Sequence, residues 1–336
     1  MSIKDMLSSD ETLFKNMEIF DLDYVPDNFA FRDSELQTLA SFIKPSLRGS
    51  RPVCAFITGI PATGKTTAVR KLSEEVDNVI ICHVNCQTYK TAQRVFAEIH
   101  KSIFGFVPPD TGVPFATLFD KIFHRLEKDK KVLLVVLDEV NELENKNDVL
   151  YNILRANETF EVKTGVWAIA CDNKLHELDD KTRSIYQPEV LEFKPYSFDQ
   201  IKNILNDRIM TGLYANVIDD NILDKISDMV SAKKDLRFGI ELLRKTVMNT
   251  ENSGMKKVLI EHIPENIEIQ KDESYDDILK LIGKGITSGD LFKKIDEMSY
   301  SSFRRLLIQM EKKGLISRTT TTKGKGKTSM IKVINV

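Results

Sequence analysis

Residues 53–67 read VCAFITGIPATGKTT, and this stretch decides the fold. Positions 53–58 have the length and apolar make-up of a strand covered on both faces. They run directly into Gly59, four residues, then Gly64-Lys65-Thr66, and helix-period sequence begins at once. A loop of this spacing between a strand and a helix suits phosphate binding. Gly59 and Gly64 let the main chain curl so that its N–H groups face inward, and the helix start adds its positive dipole end. The whole segment, Gly59, Ile60, Pro61, Ala62, Thr63, Gly64, Lys65, Thr66 and Thr67, is therefore the candidate nucleotide cradle. Lys65 is expected at the β- and γ-phosphates, and the Thr66 hydroxyl on Mg²⁺.

Three further apolar runs flank this element, at 79–84 (VIICHV), 132–137 (VLLVVL) and 166–171 (VWAIAC). Between them lie helix-period segments at 64–76, 91–104, 115–128 and 147–157. Strand and helix in alternation predict an α/β domain, a parallel sheet with helices on both faces, over roughly residues 20–195. The third run ends in Asp138-Glu139, two carboxylates at the carboxyl edge of a strand, where open α/β sheets bind ligands. Asp138 is expected to hold Mg²⁺, and Glu139 to orient or deprotonate the attacking water. Together with the loop, this pair predicts a site that hydrolyses ATP to ADP.

Past Phe193-Lys194-Pro195-Tyr196 the strand signal stops. FDQIKNILNDRI, DNILDKISDMV and DLRFGIELLRKTVM read as amphipathic helices of a small all-α lid. The polar stretch from Glu265 to Ser274 suits a linker, which gives boundaries of 1–195, 196–265 and 272–336. In the last segment TSGDLFKKIDE forms one helical pattern, and Ser299 caps a second, YSSFRRLLIQMEKKG. LISRT and SMIKVINV then read as two strands around a tip bearing Lys323, Lys325 and Lys327. Helix–turn–helix followed by a basic hairpin predicts a winged helix. From Arg304 to Lys332, nine basic residues face Glu311 alone, which puts about +8 there and leaves about −10 for the rest of a chain of net charge −2. Ser301, Ser302, Arg304 and Arg305 are the candidates for base edges of double-stranded DNA, and the three tip lysines for its phosphates. Protein contact is the alternative use of such a module.

Composition is that of an ordinary globular chain, 42% hydrophobic and 29% charged over 336 residues. Cys54, Cys82, Cys86 and Cys171 lack zinc-finger or redox spacing, and three of them sit in strand-like runs, so buried reduced thiols are expected. The N-terminus MSIKDMLSSDETLF has no signal-peptide core, and no membrane-length apolar run occurs. A cytoplasmic, nucleoid-associated protein with no membrane partner is expected.

The stretch LFKNMEIFDLDYVPDNFAFRDSELQTLASFIKPSLRGSRPVCAFITGIPATGKT resembles the archaeal replication initiator family, AAA+ ATPases related to the eukaryotic origin recognition complex and the cell-division-control loader. The likeness continues through HVNCQTYKTAQRVFAEI, LDEV, FKPYSFDQIKNIL and KDLRFGIELLRKT into GLISRTTTTKGKGKTSMIKV, nearly the whole chain. It implies that Tyr24, Val25, Pro26 and Arg32 pack around adenine and that Tyr196 joins the nucleotide-binding set. It implies that Asn173, or Asp172 beside it, positions water, and that Arg237 reaches from the lid to the γ-phosphate. A weak match to a DNA-contacting insertion falls at 104–118. Two departures stand out: Asn141 replaces a common acidic residue, and Asp179-Asp180-Lys181-Thr182-Arg183 stands where the family supplies an arginine finger, leaving Arg183 or Lys181 for that part. The implied function is a slow, switch-like ATPase that binds origin repeats and recruits a replicative helicase of the minichromosome-maintenance type, with other initiator copies on the DNA. A regulator of a plasmid or mobile element, and a signalling NTPase with a protein-binding winged helix, remain as alternatives.

Overall fold

The computed structural model describes residues 12–22, 24–109, 113–171, 178–264, 282, 286–294, 303, 307, 316–323 and 326–333. They divide into two units, Met1–Glu265 and Asn266–Val336. The first is built on a parallel sheet of β1 (Ala55–Thr58), β2 (Val79–Asn85), β3 (Val132–Asp138), β4 (Lys163–Ile169) and β5 (Glu189–Glu192), in the order β2-β3-β4-β1-β5.

Alternation along β3 explains why the sheet is covered twice. Leu133, Val135 and Leu137 enter one core with Phe96, Ile99, Ile122, Phe123 and Ile153, while Leu134 and Val136 enter the other with Leu39, Ile43, Ala68, Val69 and Trp167. The first core is closed by α3 (Ala92–Phe104), α4 (Phe115–Asp129) and α5 (Lys146–Arg155), the second by α1 (Asp33–Leu47) and α2 (Lys65–Glu74). Each buried Leu, Ile or Val contributes about 1.5–3 kcal/mol. This is why a strand with no polar face is stable here.

Two sequence expectations need correction in this unit. β5 has no counterpart among the expected strands: its Glu189, Val190 and Glu192 are exposed, so EVLE carries no continuous apolar signal, yet it pairs with β1 from Ala55↔Glu189 to Thr58↔Glu192. The fourth strand runs 163–169 rather than 166–171, which leaves Cys171 outside it and exposed, and the first begins at Ala55 rather than Val53, with Cys54 ahead of it and half-buried. Only Cys82 and Cys86 are buried; burial pushes the Cys82 thiol up to about 12 and raises Cys86 too.

After α6 (Asp180–Ile185) and β5 come three helices, α7 (Phe198–Gly212), α8 (Asp220–Lys233) and α9 (Leu236–Asn252). Ser197 and Gln200 form a reciprocal cap on α7. Asp235 caps α9 by accepting from the N–H groups of Arg237 and Phe238. Residues 12–20 lie against this helical part, with the 3-10 turn Met17–Phe20 packed on α7. Among the described residues, no helix is long and apolar enough to cross a membrane.

In the second unit, α10 (Ser288–Lys294) accompanies an antiparallel sheet of β6 (Ile286–Thr287), β7 (Ile316–Lys323) and β8 (Gly326–Val333), ordered β6-β8-β7. Ile282, Leu291, Phe303, Leu307, Ile316 and Ile331 are buried. The helix and the hairpin are two of the elements the winged-helix expectation names; its second helix, from Ser299, lies outside the described residues apart from Phe303 and Leu307. The hairpin is longer than expected: both strands extend into the stretch read as a tip, so that Thr322 pairs with Lys327 and Lys323 with Gly326. The run of threonines favours the pleated surface. β6 is a third strand absent from the sequence reading, too short to carry a period-2 signal.

Candidate nucleotide site

The loop after β1 shows why glycine stands at its ends. Gly59 has φ 145°, and a Cβ there would lie 2.3 Å from the Phe193 carbonyl oxygen; Gly64 has φ 88°, with the Tyr196 hydroxyl 2.9 Å from the position of a Cβ. Thr63 Oγ1 donates to the Ile60 carbonyl at 2.9 Å and keeps the loop closed. Lys65 is buried, and its Nζ donates to the carbonyls of Gly59 (2.6 Å) and Ile60 (2.9 Å). Burial holds this ammonium below the ordinary lysine value, opposed by Cys171, Asp138 and Glu139 and reinforced by the nearby charge of Arg237.

Because β4 lies between β1 and β3, the loop and the Asp138-Glu139 pair approach each other across the end of β4. Thr66 Oγ1 donates to Asp138 Oδ2 at 2.7 Å. These two hard oxygen ligands on adjacent elements fit Mg²⁺, which binds through one or two carboxylates together with substrate phosphates. Glu139 takes a left-handed backbone conformation, φ 55° and ψ 46°, with its N–H on Asp138 Oδ1 at 3.0 Å. A non-glycine residue there costs of order 1 kcal/mol or more and marks a position held by its surroundings. Burial raises the Glu139 carboxyl above the usual range, and Asp138 adds to this, which makes it a better proton acceptor.

A cavity of about 490 Å³ unites these groups. Pro61, Ala62, Thr63, Gly64, Lys65, Thr66, Thr67, Asp138 and Glu139 line its phosphate end, and Arg237 reaches it from the first turn of α9. The charge of Arg237 acts on both Lys65 and Glu139, so the helical part places a cation at the chemistry. Tyr24, Pro26 and Tyr196 also line the cavity. Gly59 and Ile60 do not; their carbonyls hold Lys65 instead.

Nor do Val25 and Arg32 line it, although the resemblance groups both with the adenine box. Arg32 is 4% exposed and braces the site's frame. Its Nε donates to the Thr63 carbonyl (3.1 Å), its Nη2 to the Lys194 carbonyl (2.6 Å) and its Nη1 to Glu35 (2.7 Å), and the guanidinium lies 4.0 Å from the Tyr196 ring centroid. It thereby ties the phosphate loop to the junction at 194–196. Asn173 and Asp172 lie outside the described residues, as do Ser301, Ser302, Arg304, Arg305 and Lys325; Lys323 and Lys327 are strand positions of the hairpin. Arg183 donates to the Leu178 carbonyl at 2.7 Å and approaches Asp180 at 3.7 Å, and neither Arg183 nor Lys181 lines the cavity.

The sequence reading missed Ile19, Leu22 and Phe29 from the N-terminal segment, and Ile204, Arg208, Met210 and Ile240 from the helical part, all of which line the cavity. Helical periodicity shows that α7 has a buried face, not that part of it meets a ligand.

Comparison with known proteins agrees with this geometry. The AAA domain family matches residues 48–178, and the Cdc6 AAA+ ATPase-type lid domain family matches residues 202–268. An ORC1-type DNA replication protein 2 from Methanothermobacter thermautotrophicus is 39% identical over 348 aligned positions, spanning 96% of this chain and 92% of the relative. A protein of the same description from Methanosarcina mazei is 36% identical, with 99% and 96% spanned. The structure of the Aeropyrum pernix ORC1 protein in complex with DNA superposes with a TM-score of 0.76 at 23% identity, over 96% of this chain and 94% of that one.

Proposed function

Because the chain belongs to the ORC1-type DNA replication protein family, we propose that it is an initiator that grips double-stranded origin DNA and recruits a replicative helicase of the minichromosome-maintenance type under the control of its ATPase. The observation that carries this reading is the placement of Arg237. The Arg237 guanidinium of the lid lines the same cavity as Lys65 and Glu139 of the α/β part, so hydrolysis of the γ-phosphate changes what holds the lid in place.

In this account the loop N–H groups and the start of α2 bind the phosphates, and Lys65 neutralises their charge. Thr66 and Asp138 would hold Mg²⁺, which would supply further neutralisation of phosphate charge. Glu139, made more basic by burial, takes the proton of the attacking water, and Arg237 meets the charge developing on the γ-phosphoryl group. Asn173 or Asp172 orients that water. Tyr24, Pro26 and Tyr196 form the base end, with Val25 and Arg32 supporting it. Domains at 1–195, 196–265 and 272–336 divide these tasks, and a DNA partner places the protein at the nucleoid, with other copies along the origin.

The hairpin supplies electrostatic affinity in this reading, and Ser301, Ser302, Arg304 and Arg305 read base edges. Replacing Lys323, Lys325 and Lys327 together by Ala should weaken duplex binding and flatten the log–log salt dependence by roughly one unit for each phosphate no longer neutralised. Titrations of labelled duplex by anisotropy across a salt series measure the slope. An unaltered slope would remove the hairpin from the DNA interface.

A further inference from the structure

Arg208, on α7, has no part in the phosphate chemistry, yet it is 8% exposed and lines the nucleotide cavity. Its Nη1 donates to the Ile19 carbonyl, its Nη2 donates to the Tyr24 carbonyl at 3.4 Å, and its guanidinium lies 4.6 Å from the Tyr24 ring centroid. These described partners are two main-chain oxygens and a ring face of one short segment. Burial draws its pKa below the ordinary arginine value, so those contacts compensate a desolvated cation.

The segment it holds is fastened at both ends. On the lid side, the Gly212 carbonyl accepts from the N–H groups of Lys15 (2.8 Å) and Asn16 (3.1 Å). Glu251 Oε1 accepts from Thr12 Oγ1 (2.7 Å) and the Leu13 N–H (2.6 Å). Phe20 packs so closely on Gly212 that a Cβ there would lie 2.4 Å from its Cε2. On the α/β side, Lys71 of α2 donates from Nζ to the carbonyls of Pro26 (3.1 Å) and Asp27 (2.8 Å). Ile19, Leu22, Tyr24 and Pro26 of this segment line the cavity.

We propose that Arg208 is a positioning residue for the nucleobase: it makes the base-side wall travel with the lid, so that base occupancy and lid position are one equilibrium. A lid rotation carries this wall with it, and a base seated on the wall opposes that rotation. This rests on the nucleotide-site reading given above.

The test compares wild type, Arg208→Met and Arg208→Lys in the full chain. Binding of a fluorescent N-methylanthraniloyl derivative of ADP is titrated by anisotropy, and inorganic tripolyphosphate, which has no base, is used as a competitor at the phosphate end. Arg208→Met should weaken the ADP derivative about tenfold, about 1.4 kcal/mol, and leave tripolyphosphate affinity within about twofold. Arg208→Lys, able to donate to one carbonyl, should recover part of the affinity. Should the Met variant not fold, the Lys variant carries the same comparison with a weakening of about threefold. Equal weakening for both probes, or none for the ADP derivative, would overturn the proposal. A wild-type protein that bound neither probe would instead remove the nucleotide-site reading beneath it.

Discussion

Lys65→Ala should abolish ATP binding. The ammonium is buried and held by the Gly59 and Ile60 carbonyls at the phosphate end of the cavity, so it meets the phosphates largely desolvated. Charge-assisted hydrogen bonds there are about twice as strong as neutral ones, and an unpaired phosphate charge beside Asp138 and Glu139 is repelled by both. Losing about 3 kcal/mol or more corresponds to an affinity drop above roughly a hundredfold. Calorimetric titration with ATP measures this directly. The fold should survive, because the side chain's bonds are to its own loop and the helix start tolerates Ala well. Unchanged affinity would mean that the loop is not the phosphate site.

Glu139→Gln should trap ATP without turnover, with hydrolysis lowered by about 10²–10⁴-fold and ATP affinity nearly kept. The substitution preserves shape at a left-handed backbone position and removes only the basic oxygen. Burial and Asp138 raise the carboxyl's pKa, so the wild-type rate should fall on acidification at a higher pH than an ordinary carboxylate would give. The sign follows from the role: protonation removes the base. Single-turnover hydrolysis across a pH series measures both effects. Continued turnover in the Gln variant would move proton acceptance to another group.

How far the sequence alone carried the fold depended on whether burial is recorded locally. β1, β3 and β4 were legible because strands covered on both faces are nearly apolar throughout, β3 most clearly; β2, at one edge of the sheet, kept an apolar run at 79–82 although His83 and Asn85 are exposed. β5 was not, since it is an edge strand whose exposed Glu189, Val190 and Glu192 hide its pairing with β1. The packing of residues 12–20 was not legible for a different reason. Phe14, Ile19 and Phe20 are buried against a surface far along the chain, around Gly212 and Leu213, and no period within the segment announces that.

Legibility of the site divided in the same way. Lys65, Thr66, Asp138, Glu139 and Arg237 line one cavity. Arg32 matched a family box, but its partners make it a brace between Thr63, Glu35, Lys194 and Tyr196. A box identifies residues that belong together, while contact with the ligand is decided by which of them point into the cavity. Arg208 fell between these cases, because an arginine on an amphipathic helix reads as surface until the segment that covers it is seen.

The central claim is that a nucleotide clamp and a basic winged-helix module act together on the double helix. Its most direct measurement is footprinting of chromosomal DNA fragments by the purified protein, with ATP and with ADP, in dilute salt. The account predicts protection of discrete repeated duplex sites whose extent differs between the two nucleotides. A protein that held ATP tightly yet protected no duplex in either state would contradict it.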